Sequence, residues 1–313
     1  MKHNLKITFI LLGMFLITQF IGVYVVNYYS SVKVIQGNVE EVASPDLPFG
    51  LETPKLEATG EFNWALTSII FSFMIAVFLL LFLTKLNAEF FIKLWFFFVI
   101  VIALGIFFNT IIPDVKYKVL YLLAISLPLS FIKIYKRDFF VHNTTELFVY
   151  PGIASVFVPL LNIYTIIVLL IIISIYDIWA VWHSGIMQKM AKYQINKLNI
   201  FSGFFIPYAS KKVKEKLKTM KSNAKSFRLK KGIKVNVAIL GGGDVVFPII
   251  TAGVMLKTLG LFSALLVVVG ATIGLGYLFF FAEKKKFYPA MPFISAGIFA
   301  GILVSYLVIF LFR

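Results

Sequence analysis

The chain has 313 residues, of which 60% are hydrophobic and only 14% are charged, and its formal net charge is +16. Its mean hydropathy is +0.93, whereas a soluble domain is about half apolar and about a quarter charged. These values exclude a soluble domain, a disordered chain and a soluble nucleic-acid-binding protein, and they predict an integral membrane protein. The sequence contains no cysteine, which excludes disulfide-stapled scaffolds and cysteine-ligated metal sites.

Nine apolar stretches are candidates for membrane spans, because a transmembrane helix needs about 20 mostly apolar residues. They predict an all-α polytopic membrane protein with nine transmembrane helices. In chain order, they cover residues 5–28, 62–84, 92–112, 115–135, 147–161, 163–183, 235–256, 259–281 and 289–312. The fifth stretch is short and contains Pro151, Gly152 and Pro159, which we interpret as a kinked span instead of a functional hinge.

The Lys and Arg residues in the connections predict the orientation of the spans, since cytoplasmic connections are enriched in both. With a cytoplasmic N-terminus, 24 of the 30 cations lie inside and 6 lie outside. The odd number of spans then places the C-terminus outside the cytoplasm. The chain divides into residues 1–183 with spans one to six and an acidic outer loop at 30–61, residues 184–234 as a basic cytoplasmic loop, and residues 235–313 with spans seven to nine.

The cytoplasmic loop at residues 184–234 has two parts. The first predicts an amphipathic helix along the membrane surface, because a mostly apolar stripe recurs at spacings of three and four. The second, at residues 211–234, contains eleven Lys or Arg and one acid. Such a stretch attracts anionic lipid headgroups at about 1 kcal/mol per cation, so we expect lipid and not nucleic acid as its partner. The stripe consists of Met187, Met190, Ala191, Gln194, Ile195 and Leu198.

Two of the fourteen acidic residues, Asp177 and Asp244, lie deep within predicted spans. The other twelve, Glu146 among them, fall in connections or near span ends. At helical rise, Asp177 lies about 9 Å and Asp244 about 14 Å from the inner ends of the sixth and seventh spans. An acid at such depth costs about 2.5–3.5 kcal/mol and therefore predicts a functional site. Consecutive antiparallel spans can bring the two side chains face to face.

Two carboxyl groups in one low-dielectric site cannot both ionise easily, so one is expected to keep its proton near neutral pH. This state suits the hydrolysis of an amide bond. The ionised carboxylate takes a proton from the attacking water, and the protonated partner donates to the carbonyl oxygen. Because the titration belongs to the pair, neither role is assigned to Asp177 or Asp244.

The residues beside the two acids form three short motifs. Three glycines either loosen the helix so that a substrate backbone can approach, or allow close helix packing. On spacing alone, aromatic helix packing explains the tyrosine better than a role in the site does, and a simple helix start explains the proline-containing stretch. The motif residues are Tyr176, Gly241, Gly242, Gly243, Pro289, Ala290, Met291 and Pro292.

The ordered set of motifs, Tyr-Asp at 176–177, Gly-Gly-Gly-Asp at 241–244 and Pro-Ala-Met-Pro at 289–292, resembles the YD, GxGD and PAL signatures of the presenilin and signal peptide peptidase family of intramembrane aspartyl proteases. Their order and the number of spans are also similar. The resemblance implies that Asp177 and Asp244 are the catalytic pair, that Tyr176 and the glycines shape the site, and that the proline-containing motif positions substrate. Met291 stands where the family usually has Leu.

The resemblance also implies transmembrane helices as substrates, no cofactor and no metal. The inward N-terminus is similar to presenilin and not to signal peptide peptidase. The short length resembles prokaryotic, particularly archaeal, members, in which the stretch after the sixth span forms a helix that helps to gate the site. The sequence therefore predicts a presenilin-like protease in a prokaryotic, and particularly an archaeal, cell membrane. It indicates no oligomeric state.

The main alternative is a transporter or ion pathway in which the same two aspartates carry protons or a cation and the glycines form an unwound helix segment. It explains the buried acids, but it does not predict the proline-containing motif, and the spans show no evident internal repeat. A zinc protease is disfavoured because the sequence has no His-Glu-x-x-His motif.

Overall fold

The computed structural model describes residues 5–35, 38–42, 45–53, 56, 58–136, 138–185, 193, 197, 200, 202–208, 236–282 and 288–312. These residues contain nine α-helices of more than ten residues. The helices are α1 (Leu5–Tyr29), α2 (Thr59–Lys85), α3 (Glu89–Asn109), α4 (Lys118–Phe131), α5 (Phe139–Phe157), α6 (Ile163–Ile178), α7 (Gly242–Leu259), α8 (Leu261–Phe281) and α9 (Met291–Phe312). π-Helical turns at Ile132–Lys136 and Trp179–His183 extend α4 and α6.

Eight of these helices, α4 and α6 with their π-helical turns, are long and apolar enough to cross a membrane. The prediction of an all-α multi-pass membrane protein is therefore confirmed, and the orientation of the termini stays a prediction. The remaining helix, α5, begins at Phe139 and not at residue 147, because the polar residues of its first two turns are buried against other parts of the protein. Hydropathy counts such residues as a connection, since it assumes that they face water.

The prolines and glycine of the fifth span do not interrupt α5. The helix continues through Pro151, and Pro159 falls in the short 3₁₀ turn Val158–Leu160 that follows it. A Cβ atom at Gly152 would lie 2.1 Å from the carbonyl oxygen of Ala103. The glycine therefore lets the backbones of α5 and α3 come into contact, as small residues do between transmembrane helices.

Helix α1 lies inside the bundle, where it packs against α5, α7 and α8. Its Phe15 is fully buried in an apolar core that also contains Leu170 of α6 and Ile249 of α7. Helix α2 is instead exposed along most of its length. In a membrane, this exposed surface is apolar and suits contact with lipid chains.

Helices α8 and α9 pack through glycines. A Cβ atom at Gly270 would lie 2.1 Å from the carbonyl oxygen of Gly297, and one at Gly274 would lie 2.3 Å from that of Phe293. Their backbones are therefore in direct contact, the small-residue packing of membrane helices. This packing fixes the start of α9 beside α6 and α7.

Two pairs of short antiparallel strands accompany the helices. Strands β1 (Val32–Ile35) and β2 (Asn38–Glu41) pair in the loop after α1, and β3 (Gly203–Tyr208) pairs with β4 (Asn236–Gly241) before α7. The prediction that the seventh span is helical from residue 235 is wrong for its first part, which is β4. An apolar run of this length fits a strand as well as a helix, and here its pairing with β3 decides.

The two features predicted for the cytoplasmic loop lie outside the described residues. These are the stripe from Met187 to Leu198 and the polybasic stretch at 211–234.

Candidate active site

Asp177 lies in the last turn of α6, just before the π-helical turn. Its side chain is buried, and the residue is 7% exposed. Its Oδ2 atom accepts a hydrogen bond of 3.0 Å from the backbone N–H of Met291. Because Met291 is the first residue of α9, this N–H has no partner within its own helix. The carboxylate thus satisfies a helix start that would otherwise be an unpaired buried donor.

Asp244 is the third residue of α7 and lies in its first turn. Gly241 ends strand β4 and is the N-cap residue of the helix. The Asp244 side chain turns back toward this cap, since a Cβ atom at Gly241 would lie 3.1 Å from its Oδ2. Negative charge is favoured at a helix N-terminus, where the N–H groups are free. The depth of about 14 Å predicted for Asp244 does not hold, because that value assumed helical rise from residue 235. The residues before Gly242 form a strand and not a helix.

The structure brings the two acids together from different helices. Helix α6 packs against α7, and α9 packs against both. The carboxyl groups of Asp177 and Asp244 lie near enough to interact electrostatically. The three motifs, which are far apart in the sequence, therefore meet in one region of the bundle.

Tyr176 packs on its neighbours through its ring. The ring makes an edge contact with Phe73 of α2, at 5.5 Å between centroids, and a tilted contact with Trp179 at 6.2 Å. Of the two interpretations of this residue, aromatic helix packing is the one with contacts in the structure. The packing connects α2 to the end of α6, next to Asp177.

The three glycines differ in their surroundings. A Cβ atom at Gly242 would lie 2.7 Å from the Tyr150 hydroxyl oxygen and 3.0 Å from Ser202 Oγ, whereas one at Gly243 would meet only Phe247 at 3.8 Å. Gly242 therefore allows close packing at the helix start, and Gly243 is exposed. The expectation that the glycines loosen a helix is wrong, since they form the junction between a strand and a helix.

The proline-containing motif contributes backbone as well as apolar surface. Pro289 is buried and Met291 is 3% exposed. The N–H group of Met291 reaches Asp177, and the carbonyl oxygen of Ala290 accepts the N–H of Ile294 to begin α9. Pro292 lies in the first turn of α9, where a proline is tolerated.

Several buried polar residues near this region were not predicted. Glu146 was assigned to a connection or span end, but it lies within α5 and is 1% exposed. It forms an ion pair of 2.8 Å with Lys133, which is also buried. The spacing of His142 and Glu146, one helical turn apart and next to Asn143, was the available signal.

Within the described ranges, no group of three or more His, Cys, Asp or Glu is arranged to hold a metal ion.

These features define a multi-pass integral membrane protein with a pair of acids inside its helix bundle. The family model for signal-peptide peptidase and presenilin aspartyl protease matches residues 42–311. The chain belongs to this family, as its motifs indicated, and it is an intramembrane-cleaving aspartic endopeptidase.

Two solved structures have the same fold. Both are of a presenilin family intramembrane aspartate protease, in C222 and P2 space groups. The first is 17% identical, with a TM-score of 0.59, over 96% of this chain and 99% of the other. The second is also 17% identical, with a TM-score of 0.57, over 95% and 96%. A search among curated protein sequences found no match.

Proposed function

We propose that the protein hydrolyses peptide bonds of transmembrane helices with Asp177, Asp244 and a water molecule activated between them. The observation that carries this proposal is the meeting of the two acids from α6 and α7, with the Met291 N–H donating to Asp177. Family membership supplies the class of reaction. No cofactor takes part in this chemistry.

The proposed reaction uses the two acids in different protonation states. One carboxylate removes a proton from water as it attacks the peptide carbonyl, and the other, protonated, donates to the carbonyl oxygen. The N–H of Met291 supports the ionised form of Asp177, because hydrogen bonds to a charged acceptor are the stronger ones. Asp244 is stabilised as an anion by the start of α7. Either residue can therefore serve as the base, and the acid role then falls to the other, so neither role is assigned to one residue.

The proposed substrate is a membrane-spanning helix that unwinds locally. Carbonyl groups within a helix are already hydrogen-bonded, so the bond to be cut must first leave the helix. We therefore expect helix-destabilising residues near the cut site. Tyr176, the glycines at 241–243 and the motif at 289–292 are proposed to shape the space where this segment lies.

The remaining proposals concern the surroundings of the protein. We infer a cytoplasmic N-terminus and an extracytoplasmic C-terminus, with residues 184–234 on the cytoplasmic side, where the polybasic stretch at 211–234 holds anionic headgroups. The family resemblance of this short chain favours a prokaryotic, and particularly an archaeal, membrane as its location.

The dyad is tested with purified protein and a transmembrane reporter that contains one cleavable segment. Asp177→Asn and Asp244→Asn are each expected to abolish cleavage, because each removes one ionisable partner while keeping the shape of the side chain. Asp138→Asn is the matched control. Asp138 is an exposed acid that caps α5 through the N–H of Val141, and asparagine caps equally well, so cleavage is expected to be unchanged.

The same preparations distinguish the protease from a transporter. The strand before Asp244 is non-helical backbone next to an acid in the helix bundle, a feature that transporters also use. Cleavage that survives either dyad substitution contradicts the proposed mechanism. Proton or cation flux into liposomes that depends on both acids, without any cleavage of the reporter, favours the transporter.

A further inference from the structure

The polar side chains of α5 pair with the backbone of strand β3. The N–H of Gly203 donates to Glu146 Oε1 at 3.3 Å, and the carbonyl oxygen of Gly203 accepts from His142 Nε2 at 2.9 Å. Both side chains lie on one face of the helix, one turn apart. One glycine of the strand thus has both of its backbone groups paired by a helix.

Asn143 makes the same kind of contact one strand repeat further along. Its Oδ1 accepts the N–H of Phe205 at 3.1 Å, and its Nδ2 donates to the carbonyl oxygen of Phe205 at 3.0 Å. The amide side chain therefore acts as a neighbouring strand would. Alternate residues of a strand direct their backbone groups to the same side, so Gly203 and Phe205 face α5 while the intervening Phe204 faces β4.

Strand β3 in turn determines where the proposed catalytic helix begins. Gly203 is opposite Gly241 in the β3–β4 register, and the N–H of Gly242 donates to the carbonyl oxygen of Ser202 at 3.3 Å. Gly241 caps α7, and Asp244 lies three residues further on. A continuous series of hydrogen bonds thus connects the face of α5 to the residues that position Asp244.

The charge of Glu146 is balanced within the same cluster. Lys133, from the π-helical turn after α4, lies 2.8 Å from Glu146 Oε1, and both side chains are buried. His142 Nε2 is 3.6 Å from the same oxygen. A buried carboxylate is retained only when it is paired and hydrogen-bonded. The pair therefore allows an acid to bind the backbone of β3 inside the bundle.

We propose that His142, Asn143 and Glu146 are positioning residues for the Asp177–Asp244 pair, acting through strands β3 and β4. They hold β3 at one height and one register against α5, and so hold the Gly241 cap and Asp244 against Asp177. This role rests on the proposed protease function. It adds residues that lie in none of the three sequence motifs.

The first test is Asn143→Leu, which keeps the side-chain volume and removes both bonds to Phe205. We expect kcat to fall about 10- to 100-fold, because a small displacement of a catalytic group has an effect of this size, while KM changes less than about twofold. The matched control is Thr145→Val. Thr145 is on the same helix and is also buried, but its hydroxyl donates within α5, to the carbonyl of His142.

A chemical bridge between α5 and β3 tests whether position is the cause. The rings of Phe139 and Phe205 are in contact, at 5.5 Å between centroids, and the chain has no native cysteine. The triple variant Asn143→Leu, Phe139→Cys, Phe205→Cys is treated with a short thiol-reactive crosslinker. Its kcat is expected to return to within about threefold of the kcat of the variant that has the same two cysteines and the native Asn143. Loss of activity that the bridge does not repair argues against a positioning role.

The ion pair offers a second set of variants. Glu146→Gln alone leaves Lys133 buried without a counter-charge, which strongly destabilises a protein, so a neutral double variant is used instead. Lys133→Met with Glu146→Gln removes both charges and keeps an oxygen for the Gly203 N–H. Lys133→Met with Glu146→Leu removes that oxygen as well. We expect kcat to stay near wild type in the double variant with glutamine and to fall in the double variant with leucine at position 146.

Amide hydrogen exchange measures the same contacts without any cleavage. In Asn143→Leu, the amide of Phe205 is expected to exchange about tenfold faster, as it loses its acceptor, and in Thr145→Val it is expected to be unchanged. A wild type without dyad-dependent cleavage rejects the proposed function, whatever the exchange rates. Dyad-dependent cleavage with unchanged kcat and unchanged exchange in Asn143→Leu rejects the positioning role alone.

Discussion

At the scale of the residue, one hydrogen bond joins two motifs that are more than a hundred positions apart. The N–H of Met291 donates to Asp177, so the contribution of this motif residue to the acid comes from its backbone. Its side chain is buried and apolar. Leucine, which the family usually has here, provides the same N–H and a similar volume. The identity of the side chain is therefore less important than the presence of the donor.

Replacing Met291 by proline tests this interpretation. Proline lacks an N–H but is accepted at the first position of a helix, so Met291→Pro removes the donor to Asp177 and is compatible with the start of α9. We expect cleavage to fall at least about tenfold, since a hydrogen bond to a charged group contributes about 1.5–3 kcal/mol. Met291→Leu is the control and should keep most of the activity. Equal rates of reporter cleavage in the two variants contradict the role of this N–H.

At the scale of the element, helix packing determines where the motif residues lie. Helix α9 is held against α8 by direct backbone contact at Gly270, Gly274 and Gly297. Its first residue contacts α6 through Asp177, and Ser174 Oγ of α6 donates to Ser295 Oγ of α9 at 3.0 Å. A shift of α9 relative to α8 would therefore move the donor away from the acid.

Two glycines of α8 test whether this helix packs closely against α9. A Cβ atom at Gly274 would lie 2.3 Å from the backbone oxygen of Phe293, but one at Gly276 would have its nearest neighbour, Leu12 Cδ1, at 4.0 Å. We expect Gly274→Ala to lower the free energy of unfolding by about 1–3 kcal/mol, as overpacking does, and Gly276→Ala to leave it equal or slightly higher, since alanine favours helix. Thermal unfolding in detergent measures both. Equal stability of the two variants would mean that α8 and α9 do not pack this closely.

At the scale of the whole molecule, orientation decides from which side the two acids are reached. The excess of Lys and Arg in alternate connections predicts that the chain before α4 is outside and the chain after it is inside. Asp114 and Lys136 flank α4 at its two ends, and both are exposed. They offer a matched pair of positions on one helix.

Single-cysteine labelling measures the orientation directly, because the chain has no cysteine of its own. In intact cells, a membrane-impermeant maleimide is expected to label Asp114→Cys at once and Lys136→Cys only after permeabilisation. The reverse pattern would place the N-terminus outside and contradict the charge rule for this chain. Labelling of the two variants in permeabilised cells controls for their reactivity.

The hydropathy of the sequence determined the number and approximate extent of the helices, and the rarity of deep acids identified Asp177 and Asp244. These features depend on single segments and on their contact with lipid. The order of the motifs was sufficient to predict the family, because it too is read along the chain.

Tertiary structure decided what depends on distant partners. The residues before Gly242 form a strand because β3 lies beside them, and Glu146 is buried because Lys133 and the Gly203 backbone pair with it. Hydropathy assigned the first to a helix and the second to a connection. Local pattern reports the environment that a segment needs only when that environment is lipid or water. A polar group whose partners come from the protein itself has no such local signal, since its pairing is formed by residues far away in the sequence.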